Sequence, residues 1–206
     1  MENRRATQDR LIIGISGASG VAYGLRALQL LRNAGVETHL VMTRTAELTL
    51  AYETPLKIED VRAAAMCVHE IDDMSAPISS GSYLTSGMIV APCSIRSMSE
   101  IATGVTSNLL TRAADVTLKE RRRLVLMIRE SPLHTGHLRT MTALSEMGAI
   151  IAPPVPAFYT KPQTLEDMID FTVRRVLDLF AIDGPPLRRW GEDPGLKRRP
   201  GTDGST

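Results

Sequence analysis

Five short apolar runs, Leu11–Ile15, Val36–Met42, Gly87–Ala91, Arg123–Ile128 and Ala149–Ala152, are spaced so that a helical stretch fits between each and the next. Each run is too short for a helix of ordinary length, so they read as buried strands. The intervening stretches carry apolar residues at helical spacing, as in Val21–Asn33, where Leu25, Leu28, Leu30 and Leu31 recur and Gly35 follows as a stop. Further helices are predicted over 45–52, 95–103, 109–119, 138–147 and 165–180. Strand alternating with helix dictates a parallel α/β sheet, because parallel neighbours need a crossover and the crossover is most often a helix. The fold class expected is a doubly wound, three-layer α/β sheet of the flavodoxin-like or Rossmann-like kind. The 206 residues suit one domain, placed at 1–183, with a Pro-, Gly- and charge-rich tail at 184–206 that needs a neighbouring subunit to order it.

Composition narrows the chemistry. Hydrophobic residues make up 43% of the chain and aromatics 4%, so the core is aliphatic. A formal net charge of +1 gives no bulk attraction to nucleic acid or to an anionic membrane. No apolar run approaches the ~18 residues of a membrane span, and no signal-peptide core precedes the first strand. The two cysteines, Cys67 and Cys93, form neither a CxxC pair nor a zinc spacing. The expected location is the reducing cytoplasm.

A doubly wound sheet binds ligands at the carboxyl ends of its strands, where strand order reverses. The loops to watch are therefore 16–20, 43–46, 92–97, 129–137 and 153–161. Ser16-Gly17-Ala18-Ser19-Gly20 joins a strand to a helix N-terminus, whose free N–H groups and dipole favour an anion. It is neither a GxxxxGK[ST] loop nor a GxGxxG loop, which disfavours nucleoside triphosphate hydrolysis. Pro92-Cys93-Ser94-Ile95-Arg96-Ser97 repeats the device after a later strand. By themselves the two loops point to a mononucleotide or dinucleotide site. No carboxylate cluster of the DDxxD kind is present to hold magnesium, since Asp72-Asp73 lacks partners. His134 and His137 lack a third ligand nearby in sequence.

These loops occur in a longer ordered series: Glu53-Thr54, Ser80-Gly81-Ser82, Arg112-Ala113-Ala114-Asp115, Leu118-Lys119-Glu120-Arg121, Arg129-Glu130, His137-Leu138, Phe158-Tyr159 and Arg189-Trp190-Gly191-Glu192. In that order and register, from about Leu11 to Glu192, the chain resembles the flavin prenyltransferases of the UbiX type, including the B subunits associated with hydroxyarylic acid decarboxylases. The resemblance implies transfer of a dimethylallyl group from dimethylallyl phosphate or pyrophosphate to N5 and C6 of reduced FMN. It implies no metal, a homododecamer with sites at subunit interfaces, and delivery of prenylated FMN to a partner decarboxylase. By matched position it assigns FMN contacts to Gly17, Ala18, Ser19, Thr43, Ser94, Ile95, Arg96, Ser97, Arg112 and Arg129. Lys119, Arg129, Tyr159 and Arg175 would hold the phosphate of the dimethylallyl donor, with Trp190 closing over the site. Ser16, Glu53, Lys119 and Glu130 would carry the chemistry, Ser16 and Glu53 as a relay for the proton lost from the flavin.

Two departures stand out. Met74 takes a place where the family often has an aromatic residue, and Arg139-Thr140 replaces its usual Glu-Asn. Three rivals stand beside this reading, one of them an ordinary flavodoxin-like redox protein, which would not need the cationic constellation. An FMN-dependent cysteine decarboxylase would use a His near the end of the early helix, where this chain has Glu53 and no His between 46 and 54. A non-catalytic flavin carrier would have no use for Ser16, Glu53, Lys119 and Glu130.

Overall fold

The computed structural model describes residues 10–184, 187 and 189–191. The elements run β1 (Arg10–Ile15), α1 (Val21–Asn33), β2 (Glu37–Met42), α2 (Arg44–Glu53), α3 (Ile58–Ala64), β3 (Cys67–His69), β4 (Gly87–Cys93), α4 (Ile95–Thr103), α5 (Leu109–Lys119), β5 (Arg123–Ile128), α6 (Thr135–Glu146), β6 (Ile150–Ile151) and α7 (Leu165–Asp178), with single 3₁₀ turns at Pro77–Ser79 and Phe158–Thr160. All strand pairs are parallel, in the order β3-β2-β1-β4-β5-β6.

The expected doubly wound sheet is present. The five strands read from the apolar runs, numbered among themselves, stand in the flavodoxin order 2-1-3-4-5, and the three-residue edge strand β3 extends it to 3-2-1-4-5-6. Cys67-Val68-His69 escaped the reading because three residues are too few to show a period. Helix α3 escaped it too: seven residues with one buried side chain, Val61, leave almost no apolar stripe.

The central strands are apolar on both sides because helices cover both faces. Leu11, Ile13 and Ile15 of β1 pack into one core, with Val21 and Leu28 of α1 and Val173 and Leu177 of α7. Ile12 packs into the other, with Met98 of α4, Leu110 of α5 and Leu144 of α6. Near the end of β4 the pairing with β5 slips between Val90 and Cys93, and Pro92 sits inside that irregularity, where a missing N–H costs no ladder bond. The helix following β1 covers one face and the helix following β4 the other, although the two strands are neighbours. The chain therefore opens a crevice between their carboxyl ends.

Candidate active site

A cavity of about 600 Å³ lies at that crevice. Its wall includes Gly17 from the β1 loop, Thr43 at the start of α2, Ser94, Ile95, Arg96 and Ser97 at the start of α4, and Glu130 beyond β5. Six of the expected FMN contacts and one expected catalytic residue thus share one space. Gly17 is needed there for room, since a Cβ would come within 2.8 Å of Thr45 Cγ2. Thr43 and Ser94 are helix caps: Thr43 Oγ1 accepts from the Ala46 amide at 3.1 Å and Ser94 Oγ from the Ser97 amide at 3.2 Å. They aim two helix N-termini, both favourable to an anion, at the crevice. Arg96 pairs with Glu100 at 2.9 Å. Burial pushes the Glu100 carboxyl up, but hydrogen bonds from Ser107 and Arg96 outweigh it and hold the group below the usual carboxylate range.

A second cavity, about 430 Å³, lies beside α1 and is lined by Ser19, Gly20, Tyr23, Glu53, Arg129 and Pro154 among others. Arg129 and Glu130, adjacent in sequence, line different cavities. Tyr23 is pushed up by burial, with Arg129 pulling the other way.

One sequence expectation is corrected here. The helix N-terminus after the Ser16–Gly20 loop is not free for a phosphate: Glu53 accepts from the Gly20 amide at 2.9–3.0 Å and from the Val21 amide at 3.0 Å. The α1 N-terminus already holds an anion, the carboxylate at the end of α2. Ser16, expected to act with Glu53, is fully buried. Its hydroxyl donates to the Pro92 carbonyl at 3.0 Å and accepts from the Ser94 amide at 2.7 Å, stitching β1 to β4. Ser19 is exposed and lines the same cavity as Glu53. Ala18 sits between them, its amide bonded to the Ser16 carbonyl at 2.8 Å.

The remaining predicted residues lie elsewhere in this one chain. Arg112 donates from Nε to the Ser79 carbonyl at 3.1 Å and pairs with Asp115 at 2.7 Å. Lys119 ends α5, paired with Glu120 beside Gly81. That corner precedes the starts of β4 and β5, whereas Glu130 follows the end of β5, about 20 Å away for a six-residue strand. Arg175 lies in the last turn of α7 and pairs with Asp178 at 2.5 Å. Tyr159 and Trp190, far apart in sequence, do meet edge to face at 5.2 Å, with Phe171 on Tyr159 at 5.7 Å. Trp190 is 74% exposed, so it covers Tyr159 and not the 600 Å³ crevice of its own chain. Glu192 and the tail from 192 onward lie outside the described residues.

Several lining residues were missed by the sequence reading. Arg44 and Asp72 meet at 2.6 Å at the crevice rim, and Asn108 caps α5 by accepting from the Thr111 amide at 3.1 Å. Asn108 carried a capping signal; the Arg44–Asp72 pair joins the first residue of α2 to the turn after β3 and had none. Away from the crevice, Glu37, His39 and Cys67 gather their ligand-type atoms within 4.8 Å. There Arg10, 3.0 Å from Glu37 and stacked on Tyr83, already supplies the positive charge. Burial lowers the His39 pKa, outweighing the Glu37 hydrogen bond. Cys93 is fully buried and its thiol is pushed up to about 12 by burial, so it is a packing residue and not a nucleophile.

The parallel sheet and its switch-point crevice define the class, that of α/β flavin-binding folds, and the family model described as Flavoprotein matches residues 1–177. The flavin prenyltransferase UbiX of Salmonella typhimurium is 59% identical over 177 residues, covering 85% of this chain and 94% of the relative. The chain belongs to the UbiX-type flavin prenyltransferase family. Among solved structures, AnUbiX (PadA1) in complex with FMN and dimethylallyl pyrophosphate superposes with a TM-score of 0.87 at 50% identity, covering 88% of this chain and 96% of that one. A dodecameric FMN-dependent UbiX-like decarboxylase from Escherichia coli O157:H7 gives 0.86 at 49% identity, with 88% and 98% coverage.

Proposed function

We propose that this chain is a flavin prenyltransferase that joins a dimethylallyl group, from dimethylallyl phosphate or pyrophosphate, to N5 and C6 of reduced FMN, and supplies prenylated FMN to a partner decarboxylase. The observation that carries the reading is the convergence of Gly17, Thr43, Ser94, Ser97 and Glu130 on one crevice, in a chain 50% identical to a relative solved with both substrates.

The crevice fits a flavin mononucleotide: Gly17 provides a bare backbone face, and the α2 and α4 N-termini face a phosphate. Bound reduced FMN supplies the nucleophilic ring positions. The protein supplies the rest. Arg129, Arg175 and Lys119 stabilise charge on the departing phosphate, with Tyr159 as a hydroxyl donor. Glu130, held at the mouth by the Ser131 amide at 3.0 Å, delivers a proton to that phosphate. Glu53 with Ser16 receives the proton released from the flavin.

Because Lys119 and Glu130 lie at opposite ends of the sheet, a complete site takes Lys119 from a second copy. A homododecamer, as named for the Escherichia coli relative, provides such neighbours. No helix among the described residues is long and apolar enough to cross a membrane, and Cys67 and Cys93 are both free thiols, in keeping with a cytoplasmic enzyme.

The test is incubation with reduced FMN and dimethylallyl phosphate or pyrophosphate, followed by mass measurement of the flavin. A gain of one prenyl unit is expected. Unmodified flavin with both donors would overturn the reading.

A further inference from the structure

We infer that Gly81 is a positioning residue for the dimethylallyl donor: its missing side chain leaves the space in which the Lys119 ammonium is held. The inference rests on the phosphate-binding role proposed for Lys119 and goes beyond it to the group that places that charge.

Gly81 lies in the exposed Ser80-Gly81-Ser82 loop. Its backbone is not in the left-handed region, so conformation does not account for a glycine there. Space does. A Cβ on Gly81 would lie 2.7 Å from Lys119 Nζ and 2.7 Å from Glu120 Cδ, and would overlap Glu120 Oε1. The Lys119–Glu120 ion pair therefore lies across the bare face of this residue. The loop is fixed beneath the pair. Arg122 donates to the Gly81 carbonyl at 2.6 Å and to the Tyr83 carbonyl at 2.7 Å, and its side chain is 14% exposed. The same guanidinium stands 4.0 Å from the second oxygen of Glu120. Loop, acid and ammonium form one unit at the C-terminus of α5.

This geometry separates stability from function. The atoms that a new methyl group would meet are the far ends of two flexible, part-exposed side chains, which swing aside at little cost in folding. The swing moves the ammonium by the width of a methyl group. A charge-assisted hydrogen bond to phosphate does not survive such a displacement, and its loss is worth about tenfold or more in affinity.

The experiment compares Gly81→Ala, Lys119→Ala and the double variant with the wild-type protein, varying dimethylallyl phosphate at saturating reduced FMN. Gly81→Ala is expected to raise the donor KM about tenfold, with the midpoint of thermal unfolding and the FMN Kd unchanged. The double variant is expected to show no further rise over Lys119→Ala, because the glycine acts through the lysine. A wild-type donor KM in Gly81→Ala overturns the inference while leaving the role of Lys119 intact if Lys119→Ala raises KM. Effects that multiply in the double variant overturn it too, since Gly81 would then act by another route. An unchanged donor KM in Lys119→Ala removes both the inference and the phosphate role on which it rests.

Discussion

Glu53 shows how a residue type legible in sequence can have a purpose that is not. Its carboxylate takes the amides of Gly20 and Val21, two donors at a helix start where Gly20 itself has no side chain to offer. Glu53→Ala should therefore cost about 1 kcal/mol of stability, seen as a lower thermal midpoint, as well as prenyl transfer. Ser16 combines the same two roles. Ser16→Ala strips a buried hydroxyl from the Ser94 amide and should lose about 1–3 kcal/mol, as well as prenyl transfer. Ser19→Ala, at an exposed position, should unfold like wild type and bind FMN more weakly. Thermal unfolding and flavin mass, measured on both variants, check the assignment; a Ser16→Ala that unfolds and turns over like wild type would remove both of its roles. Glu130→Gln should keep FMN binding, followed by flavin fluorescence, and lose prenyl transfer, because the amide cannot release a proton.

At the scale of elements, helix α1 sits directly on the bulged end of β4. A Cβ at Gly24 would overlap the Ala91 carbonyl oxygen and approach Ile15 Cδ1 to 2.8 Å. Unlike the atoms around Gly81, a backbone oxygen in a central strand cannot swing away. Gly24→Ala should destabilise the fold by about 1–3 kcal/mol, read as a lower urea midpoint with an unchanged slope. The end of α7 holds a second device. Asp178 is kept below the usual carboxylate range, first by its hydrogen bond from Arg189 and then, against burial, by Arg175. A depressed carboxylate stabilises above its unfolded value and loses that contribution as pH falls through the folded one. The latch on residues 189–191 should thus hold at neutral pH and open only as pH falls through the folded Asp178 value, which lies below the usual carboxylate range. The sole tryptophan, Trp190, adjoins Arg189 and packs on Tyr159, so its emission reports the opening. Asp178→Asn should show the acid-form emission at neutral pH.

At the scale of the whole molecule, the sheet separates Lys119 from Glu130, so neither end suffices alone. If the two groups meet across a subunit boundary, Lys119→Ala and Glu130→Gln copies expressed together should regain part of the activity that each lacks alone. No recovery in verified mixed oligomers would place both groups in one chain's site.

Much was determined by sequence alone, and the reason is local. The β1, β2, β4 and β5 runs and the α1, α4 and α5 stripes report burial through the residues' own order, so the doubly wound sheet, its switch-point loops and the family resemblance were legible. The caps at Thr43 and Ser94 emerged only with the structure, since the sequence marked those residues as flavin contacts by resemblance alone. Only the tertiary structure decided which hydroxyl is sealed and which is open, that Glu53 fills the α1 N-terminus, and that Arg129 and Glu130 line separate cavities. Those outcomes depend on distances between segments tens of residues apart, which packing sets and no local pattern records.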